Sequence, residues 1–319
     1  MTATAIMKEL YIDSLLELGR EYPRLVVLDA DLAVANGTDR FQARFPERFV
    51  NAGIAEQNMV GVAAGLAASG LIPVAHSIAV FATGRPFGQL RQSVSYSEMN
   101  VKIVGGYAGF SAGADGASHQ SVIDIAIMRA LPHFTVLVPA DPWQAQAAAR
   151  AMVEHHGPVY LRLCNAPLSQ AIPPDTPFQL GRAQQLRQGN DVTLIATGCL
   201  VAAALQAADT LREEGIEARV LNIHTIKPLD EEAIHQAAAD TGALVVAEEH
   251  SLIGGLGSAV SELLADSNQS VPLRRLGIRD RFGESGSQDE LLQSHGLTSA
   301  DIAREAHSAL DTMGSGLDI

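Results

Sequence analysis

Three ionisable residues stand at positions where they could move protons. Glu56 begins a segment of small and apolar residues that reads as a closely packed helix. A carboxylate there is either a solvated first-turn acid favoured by the helix dipole or a desolvated acid in a dry pocket. Asp115 and His119 lie in the loop Gly113–Gln120, which is otherwise typical of a simple turn. Together these residue types predict general acid–base chemistry.

The segments that must position these residues alternate between helical and strand patterns. Strands separated by helices indicate right-handed crossovers and a parallel sheet. In the first half we predict strands at 25–29, 101–104, 135–138 and 159–163 and helices at 8–21, 56–68, 121–131 and 142–154. In the second half we predict strands at 192–196, 218–222 and 243–247 and helices at 201–214, 230–239 and 256–265.

A proline-rich stretch divides the two halves. Residues 165–177 contain four prolines in thirteen positions, which suits an exposed linker. The fold class is therefore α/β with two parallel-sheet domains in series. We place the first domain at residues 1–172 and the second at residues 190–319.

Composition restricts the partners and the compartment. Lys plus Arg total 22 against 36 Asp plus Glu, a net charge of −14, which disfavours nucleic acid and anionic membranes as partners. The two cysteines are too few for a disulfide scaffold, and no His/Cys spacing indicates a metal site in this chain. No secretory signal or membrane span is visible, so we expect a cytoplasmic protein.

The segment Gly53-Ile-Ala-Glu56-Gln-Asn-Met resembles the thiamine-diphosphate contact segment of the transketolase family. In that family the carboxylate hydrogen-bonds the ring nitrogen of the cofactor's aminopyrimidine and so promotes loss of the thiazolium proton. The resemblance implies that Glu56 has this catalytic role. It also implies a thiamine-diphosphate pyrimidine-binding domain followed by a transketolase C-terminal domain.

Further segments continue the resemblance in the same order. Ala79-Val-Phe81-Ala-Thr-Gly-Arg85 is similar to the segment whose aromatic ring stacks on the aminopyrimidine, so Phe81 is the stacking candidate. Ile78 replaces a second aromatic residue and keeps an apolar wall. Asp31 and Leu32 follow a strand at the place from which the family touches its cofactor.

The loop Gly113–Gln120 resembles the family's Asp-Gly-x-x-His-Gln loop. The resemblance implies that Asp115 accepts a hydrogen bond from a donor hydroxyl. It implies that His119 contacts the ketose oxygen and assists proton movement.

One family motif is missing from the chain. The cofactor diphosphate is held in the family through a divalent metal by Gly-Asp-Gly and a later Asn, and no Gly-Asp-Gly occurs here. The chain therefore resembles the C-terminal subunit of a split transketolase. We expect an N-terminal transketolase subunit to hold Mg²⁺ or Ca²⁺ and the diphosphate, in a heterotetramer that contains this chain as a homodimer.

The family's sugar-phosphate contacts are altered. The four positions that carry an Arg, a Ser, a His and an Arg in sugar-phosphate relatives are Lys8, Ala35, Tyr107 and Asn165 here. Arg162 lies near the last of these, as an Arg does in the more distantly similar deoxyxylulose-phosphate synthases. Loss of two charge-assisted contacts weakens phosphate binding by about a hundredfold. We therefore predict that at least one substrate is not an ordinary sugar phosphate.

The resemblance implies a transferase that moves a two-carbon ketol unit from a ketose-type donor to an aldehyde. Three alternatives remain open at this point. They are a thiamine-dependent carboligase or synthase using pyruvate or hydroxypyruvate, a β subunit of a 2-oxo acid dehydrogenase, and a non-catalytic scaffold or regulatory paralogue. Retention of Glu56, Phe81, Asp115 and His119 together argues against the scaffold.

Overall fold

The computed structural model describes residues 4–174 and 176–314. The outer limits predicted for the two domains, residues 1 and 319, lie outside the described residues. Within the described part, no helix has the length and apolar character needed to cross a membrane.

The first part of the chain alternates strands and helices. Its strands are β1 (Thr4–Ile6), β2 (Leu25–Asp29), β3 (Phe49–Asn51), β4 (Ile72–Ile78), β5 (Lys102–Gly106), β6 (Thr135–Leu137), β7 (Val159–Arg162) and β8 (Pro167–Ser169). Its α-helices are α1 (Met7–Glu21), α2 (Ala33–Asn36), α3 (Asp39–Arg44), α4 (Glu56–Ala68), α5 (Ala79–Gly84), α6 (Phe87–Gln89), α7 (Asp124–Ala130) and α8 (Pro142–Glu154). Short 3₁₀ turns span Pro46–Arg48 and Phe110–Asp115, and a π-helical turn spans Leu90–Ser95.

The second part repeats the alternation. Its strands are β9 (Gln184–Arg187), β10 (Val192–Ala196), β11 (Ala218–Asn222), β12 (Thr225–Lys227), β13 (Ala243–Ser251) and β14 (Leu273–Ile278). Its helices are α9 (Leu200–Glu213), α10 (Glu231–Asp240), α11 (Leu256–Asp266), α12 (Gln288–Ser294) and α13 (Ser299–Gly314).

The first sheet has seven strands in the order β12-β6-β7-β5-β4-β2-β3. All neighbours are parallel except β12, which runs antiparallel to β6. Every residue of β2 and β4 is buried, as expected for strands covered by helices on both faces. Because the strands are parallel, their carboxyl ends meet at one edge of the sheet, where open α/β sheets bind ligands.

The second sheet has five strands in the order β14-β13-β10-β11-β9, with only β9 antiparallel to its neighbour. β1 and β8 form a separate antiparallel pair. The predicted α/β class with two domains in series is confirmed. The strand β12 was not predicted, and it extends the first sheet although it lies in the second half of the chain.

Helix α4 forms where the sequence predicted it, and its composition explains how it packs. Met59, Val60 and Ala63 are buried against the sheet, whereas Gly61 and Gly65 face outward. Small side chains allow close approach on several sides of this helix. Glu56 is its first residue, so the fold places that carboxylate at the sheet edge.

Candidate active site

The fold gathers most of the predicted site residues at the carboxyl edge of the first sheet. Each follows the end of a strand or lies in the connection after it: Asp31 and Leu32 after β2, Glu56 after β3, Ile78 and Phe81 at the end of β4, Tyr107, Asp115 and His119 after β5, and Asn165 after β7. This is the edge at which parallel α/β sheets hold ligands.

Glu56 is buried, and its carboxylate accepts three side-chain hydrogen bonds. The residue is only 3% exposed. Nη1 of Arg85 donates to Oε1 at 2.9 Å and to Oε2 at 3.1 Å, and Oγ of Ser77 donates to Oε1 at 3.5 Å. In front of the carboxylate is an open groove of about 580 Å³ lined by Ile54, Ala55, Glu56, Gln57, Asn58 and Arg85. Glu56 is therefore a buried acid and not a solvated acid in the first turn of the helix.

Phe81 and His119 contact each other beside this groove. Their ring centroids are 5.2 Å apart and the rings meet edge to face at 75°. Oγ of Ser118 lies 3.0 Å from Nδ1 of His119, a contact that holds the imidazole orientation. Asp115 lies nearby in sequence and is exposed to solvent. The loop thus brings a histidine to the edge of the aromatic ring and leaves the carboxylate free to meet a ligand.

Asp29 organises the loop that carries Asp31 and Leu32. Its buried carboxylate accepts hydrogen bonds from the Leu32 backbone N–H at 2.6 Å, from Asn36 at 3.0 Å and from Thr38 at 2.8 Å. Asp31 is exposed, and its Oδ1 accepts a 3.0 Å hydrogen bond from Asn51. Asp29 therefore fixes the backbone at the strand end, and Asp31 is left at the surface of the loop.

The four altered phosphate-site positions line one cavity of about 10 Å³, which has room for about one water molecule. Lys8, Ala35, Tyr107 and Asn165 all face it. The Lys8 ammonium and the Tyr107 hydroxyl both donate to the Ala35 carbonyl, at 3.0 and 3.2 Å. Oδ1 of Asn165 is buried without a hydrogen-bond partner among the described residues. A buried oxygen of this kind is a candidate acceptor for a ligand hydroxyl.

The floor of this cavity carries no additional positive charge. Burial lowers the pKa of His76, so its imidazole is neutral near pH 7. The Tyr11 hydroxyl lies 2.7 Å from Nε2 of His76, and Nδ1 lies 3.4 Å from the Leu28 carbonyl. Burial raises the pKa of Tyr11, which therefore stays protonated. Among the described residues lining the cavity, Lys8 is thus the single formal cation.

Arg162 does not face either the groove or the cavity. It is 4% exposed, and its guanidinium lies 2.9 Å from Asp124 and 3.6 Å from Glu249 of the second domain. Burial lowers the Arg162 pKa, but the two carboxylates outweigh this effect and raise it, so the side chain stays charged. In this arrangement Arg162 joins the two domains and is not placed to contact a substrate.

Sequence reasoning assigned no role to Arg85 or Ser77, although both contact the Glu56 carboxylate. A signal was present for Arg85, because it lies four residues after Phe81 and side chains at that spacing share one helix face. Its Cζ lies 3.9 Å from the centroid of the Phe81 ring. No comparable pattern indicated Ser77. It lies in β4, which β2 separates from β3 in the sheet, and it approaches Glu56 because α4 packs on β4.

The residues around the groove fit the aromatic ring at one end of a cofactor. A buried carboxylate, an aromatic ring and the apolar side chain of Ile78 are what a flat, hydrogen-bonding ring requires. The groove is within the size range of small-molecule sites.

Comparison with known proteins identifies the family. Residues 4–169 match the description "Transketolase, pyrimidine binding domain", and residues 181–302 match "Transketolase, C-terminal domain". The chain is 48% identical over 96% of its length to a 6-deoxy-6-sulfo-D-fructose transketolase subunit of a Clostridium species, of which it covers 94%. It is 45% identical over 93% of its length to a putative transketolase C-terminal section of Methanocaldococcus jannaschii, of which 94% is covered.

Another relative and a solved structure agree with this match. The chain is 39% identical over 93% of its length to one subunit of the apulose-4-phosphate transketolase of Phocaeicola vulgatus, with 95% of that protein covered. A solved structure described as an inactive β4 tetramer of a split-gene transketolase superposes with a TM-score of 0.89 and 47% identity, covering 96% of this chain and 98% of that one. The chain belongs to the transketolase family, as a subunit that carries its pyrimidine-binding and C-terminal domains.

Proposed function

We propose that this chain acts, together with a second subunit, as a thiamine-diphosphate-dependent transketolase that transfers a two-carbon ketol unit from a ketose-type donor to an aldehyde. The observation that carries the proposal is the buried carboxylate of Glu56 at the start of α4, at one groove with Phe81 beside it. A non-catalytic scaffold would not need a buried acid at an open groove, because an unneeded buried charge is costly. Relatives of nearly full coverage that are named as transketolase subunits support the same function.

When bound, thiamine diphosphate supplies the carbon nucleophile that cleaves and re-forms the carbon–carbon bond. Glu56 holds a proton at the ring nitrogen of the aminopyrimidine, and Phe81 stacks on that ring. Ile78, Leu32 and Asp31 line the strand ends around it. The bound ring itself would cover the carboxylate and exclude water from it, which strengthens the hydrogen bond.

Substrate groups are handled by the loop after β5. His119 moves a proton to or from the substrate oxygen, and its contact with Ser118 holds the ring in the required orientation. Asp115 is exposed and accepts a hydrogen bond from a donor hydroxyl. These assignments rest on the match between the loop Gly113–Gln120 and the family loop, and on the edge contact between His119 and Phe81.

The diphosphate and its metal belong, in this proposal, to the partner. Among residues 4–174 and 176–314, no group of three or more His, Cys, Asp or Glu side chains is placed to hold a metal ion. A diphosphate needs a hard cation such as Mg²⁺ or Ca²⁺ with oxygen ligands. We propose that an N-terminal transketolase subunit supplies this site, in a cytoplasmic heterotetramer with two copies of each chain.

The cavity around Lys8 favours a donor whose terminal group carries one negative charge or none. A phosphate monoester carries a charge of about −1.5 to −2 at pH 7. Lys8 is a single cation, whereas Tyr107 and the Asn165 amide are neutral. A sulfonate has one negative charge and matches this set, which agrees with the sulfosugar named for the Clostridium relative. The apulose phosphate named for the Phocaeicola relative makes a phosphorylated donor the second candidate.

The decisive experiment reconstitutes this chain with the N-terminal transketolase subunit from the same genome. Glu56→Gln keeps the side-chain shape but removes the acid, so we expect ketol transfer to fall by about 10²-fold or more. Glu47→Gln changes an exposed acid in the preceding turn and serves as the matched control. Cofactor binding is followed by near-ultraviolet circular dichroism in both variants. Full activity of Glu56→Gln would contradict the proposal.

Carbon dioxide release separates the remaining catalytic alternatives. A carboligase or synthase that uses pyruvate or hydroxypyruvate releases carbon dioxide in each turnover, whereas transfer from a ketose donor releases none. The same reconstituted pair is assayed with both donor classes. We expect turnover with ketose donors without carbon dioxide, and no transfer to a lipoyl carrier.

A further inference from the structure

Arg85 makes contact with both groups that the aminopyrimidine needs. Its Nη1 donates to both carboxylate oxygens of Glu56, at 2.9 and 3.1 Å. Its guanidinium lies over Phe81, with Cζ 3.9 Å from the ring centroid. A flat cationic group thus already covers the ring and donates to the acid. These are the two contacts that the proposed function assigns to the cofactor ring.

The contact with Arg85 also opposes the chemistry proposed for Glu56. A carboxylate whose two oxygens already accept from a guanidinium has fewer acceptor positions left for a ring nitrogen. Holding a proton at a ring nitrogen requires a carboxyl group that can share that proton. While Arg85 donates to both oxygens, Glu56 is committed as a two-fold acceptor. A ring nitrogen and the Arg85 guanidinium therefore compete for the Glu56 carboxylate.

The surroundings of Arg85 allow its side chain to move while its backbone stays in place. The side chain is 47% exposed at the groove, so it can leave without opening the core. The Arg85 carbonyl accepts a 3.2 Å hydrogen bond from Nε2 of Gln57, which ties the end of α5 to the start of α4. The guanidinium can swing into solvent while the backbone around Phe81 and Glu56 keeps its geometry.

We propose that Arg85 is a displaceable positioning residue: in the cofactor-free chain it occupies the place of the aminopyrimidine between Phe81 and Glu56, and it leaves when the cofactor binds. The inference rests on the proposed function. Arg85 neutralises a buried acid until the cofactor takes over that contact. The cofactor therefore binds against the cost of breaking this ion pair.

The test is the variant Arg85→Gln in the reconstituted complex. We expect the Kd for thiamine diphosphate, at fixed Mg²⁺ concentration, to fall about tenfold, because no charged ion pair has to be broken. Arg85→Lys keeps the charge without the guanidinium over Phe81 and should give an intermediate Kd.

Arg91→Gln is the matched control, because Arg91 is an exposed arginine six residues further along whose guanidinium contacts the side chain of Gln92. It should leave the Kd unchanged. A weaker or unchanged cofactor affinity in Arg85→Gln would mean that Arg85 is a fixed part of the site, and would overturn this inference alone. If Glu56→Gln also leaves cofactor affinity unchanged, the proposed function itself fails.

Discussion

Two site residues hold backbone conformations that cost energy. Asp31 has φ of +64° and Tyr107 has φ of +53°, in the left-handed region that non-glycine residues seldom adopt. They closely follow the ends of β2 and β5, at the edge where the ligand is predicted to bind. Strain of this kind persists where the surrounding structure holds it, and it clusters at functional sites. The strain at Tyr107 supports a role for its side chain in the cavity beside Lys8.

The terminal-group selectivity can be reversed at this cavity. In the double variant Tyr107→His with Asn165→Arg, the cavity regains an imidazole and a cation, and histidine tolerates the positive φ at position 107. We expect kcat/KM for a phosphorylated ketose to rise about tenfold relative to a sulfonated one, because both groups accept the new contacts and only the additional negative charge of the phosphate distinguishes them. Competition assays with the reconstituted pair measure the ratio.

Tyr107→Phe is the control for this prediction. It removes the hydroxyl that donates to the Ala35 carbonyl but keeps the ring beside Lys8, so it adds no charge. We expect it to leave the preference between the two terminal groups nearly unchanged. An unchanged preference in the double variant would show that another part of the complex selects the terminal group.

At the scale of elements, helices and strands with a clear local pattern were predictable and those formed by distant pairing were not. β2, β10 and β11 and the helices α4 and α8 begin and end at the predicted residues. α8 also has local start signals, since Asp141 caps it through the Gln144 N–H and Pro142 is its first residue. β4 was missed because Pro73, His76 and Ser77 interrupt its apolar run, and a proline argues against a central strand.

The loop that carries His119 also differs from the prediction in a way that matters for function. Helix α7 begins at Asp124 and not at residue 121, and Ser118 contacts His119. His119 therefore lies in an irregular loop, outside the first helical turn. Its orientation is set by Ser118 and by the Phe81 ring, which the sequence alone could not bring together.

The outer face of α4 gives an element-scale prediction. Gly61 and Gly65 are exposed, and a methyl group built on either meets no atom within 4 Å. Glycine costs about 0.5–1 kcal/mol relative to alanine inside a helix. We therefore expect Gly61→Ala and Gly65→Ala each to raise the free energy of unfolding of this chain by about that amount, as measured by urea denaturation of the chain alone.

The same variants test whether α4 approaches another chain closely. If the outer face packs against a partner, Gly61→Ala and Gly65→Ala should weaken assembly, measured by analytical ultracentrifugation, although they stabilise the chain. Gly70→Ala is the control, because a methyl group at position 70 also meets no atom within 4 Å but the residue has a φ of +86°. We expect this variant to lower the free energy of unfolding by about 1 kcal/mol. Stabilisation without any effect on assembly would mean that this face is not an interface.

At the scale of the whole molecule, the two domains are joined by buried polar groups and not by apolar packing alone. Arg162, at the end of β7, pairs with Asp124 of α7 and with Glu249 of the second domain. The Glu249 carboxylate also accepts hydrogen bonds from the Phe110 backbone N–H at 3.0 Å and from Gln288 at 3.1 Å. Sequence reasoning treated Arg162 as a substrate contact, because a motif gives a residue's neighbours in the chain and not its partners in space.

His224 lies in the same seam and makes the stability of the whole chain depend on pH. Its ring stacks on Phe178 at 4.1 Å, Nε2 is buried without a partner among the described residues, and burial lowers its pKa to about 4. Unfolded histidine titrates near 6.5, so below that pH the unfolded chain binds a proton that the folded chain refuses. The contribution of His224 to stability is therefore full above pH 6.5 and falls as the pH drops towards 4.

We expect the free energy of unfolding to fall by on the order of 2–3 kcal/mol between pH 7 and pH 4.5 in urea titrations. His224→Phe keeps an aromatic ring against Phe178 and should lack this loss. The exposed His156→Gln should retain the full loss, and an equal loss in His224→Phe would refute the assignment.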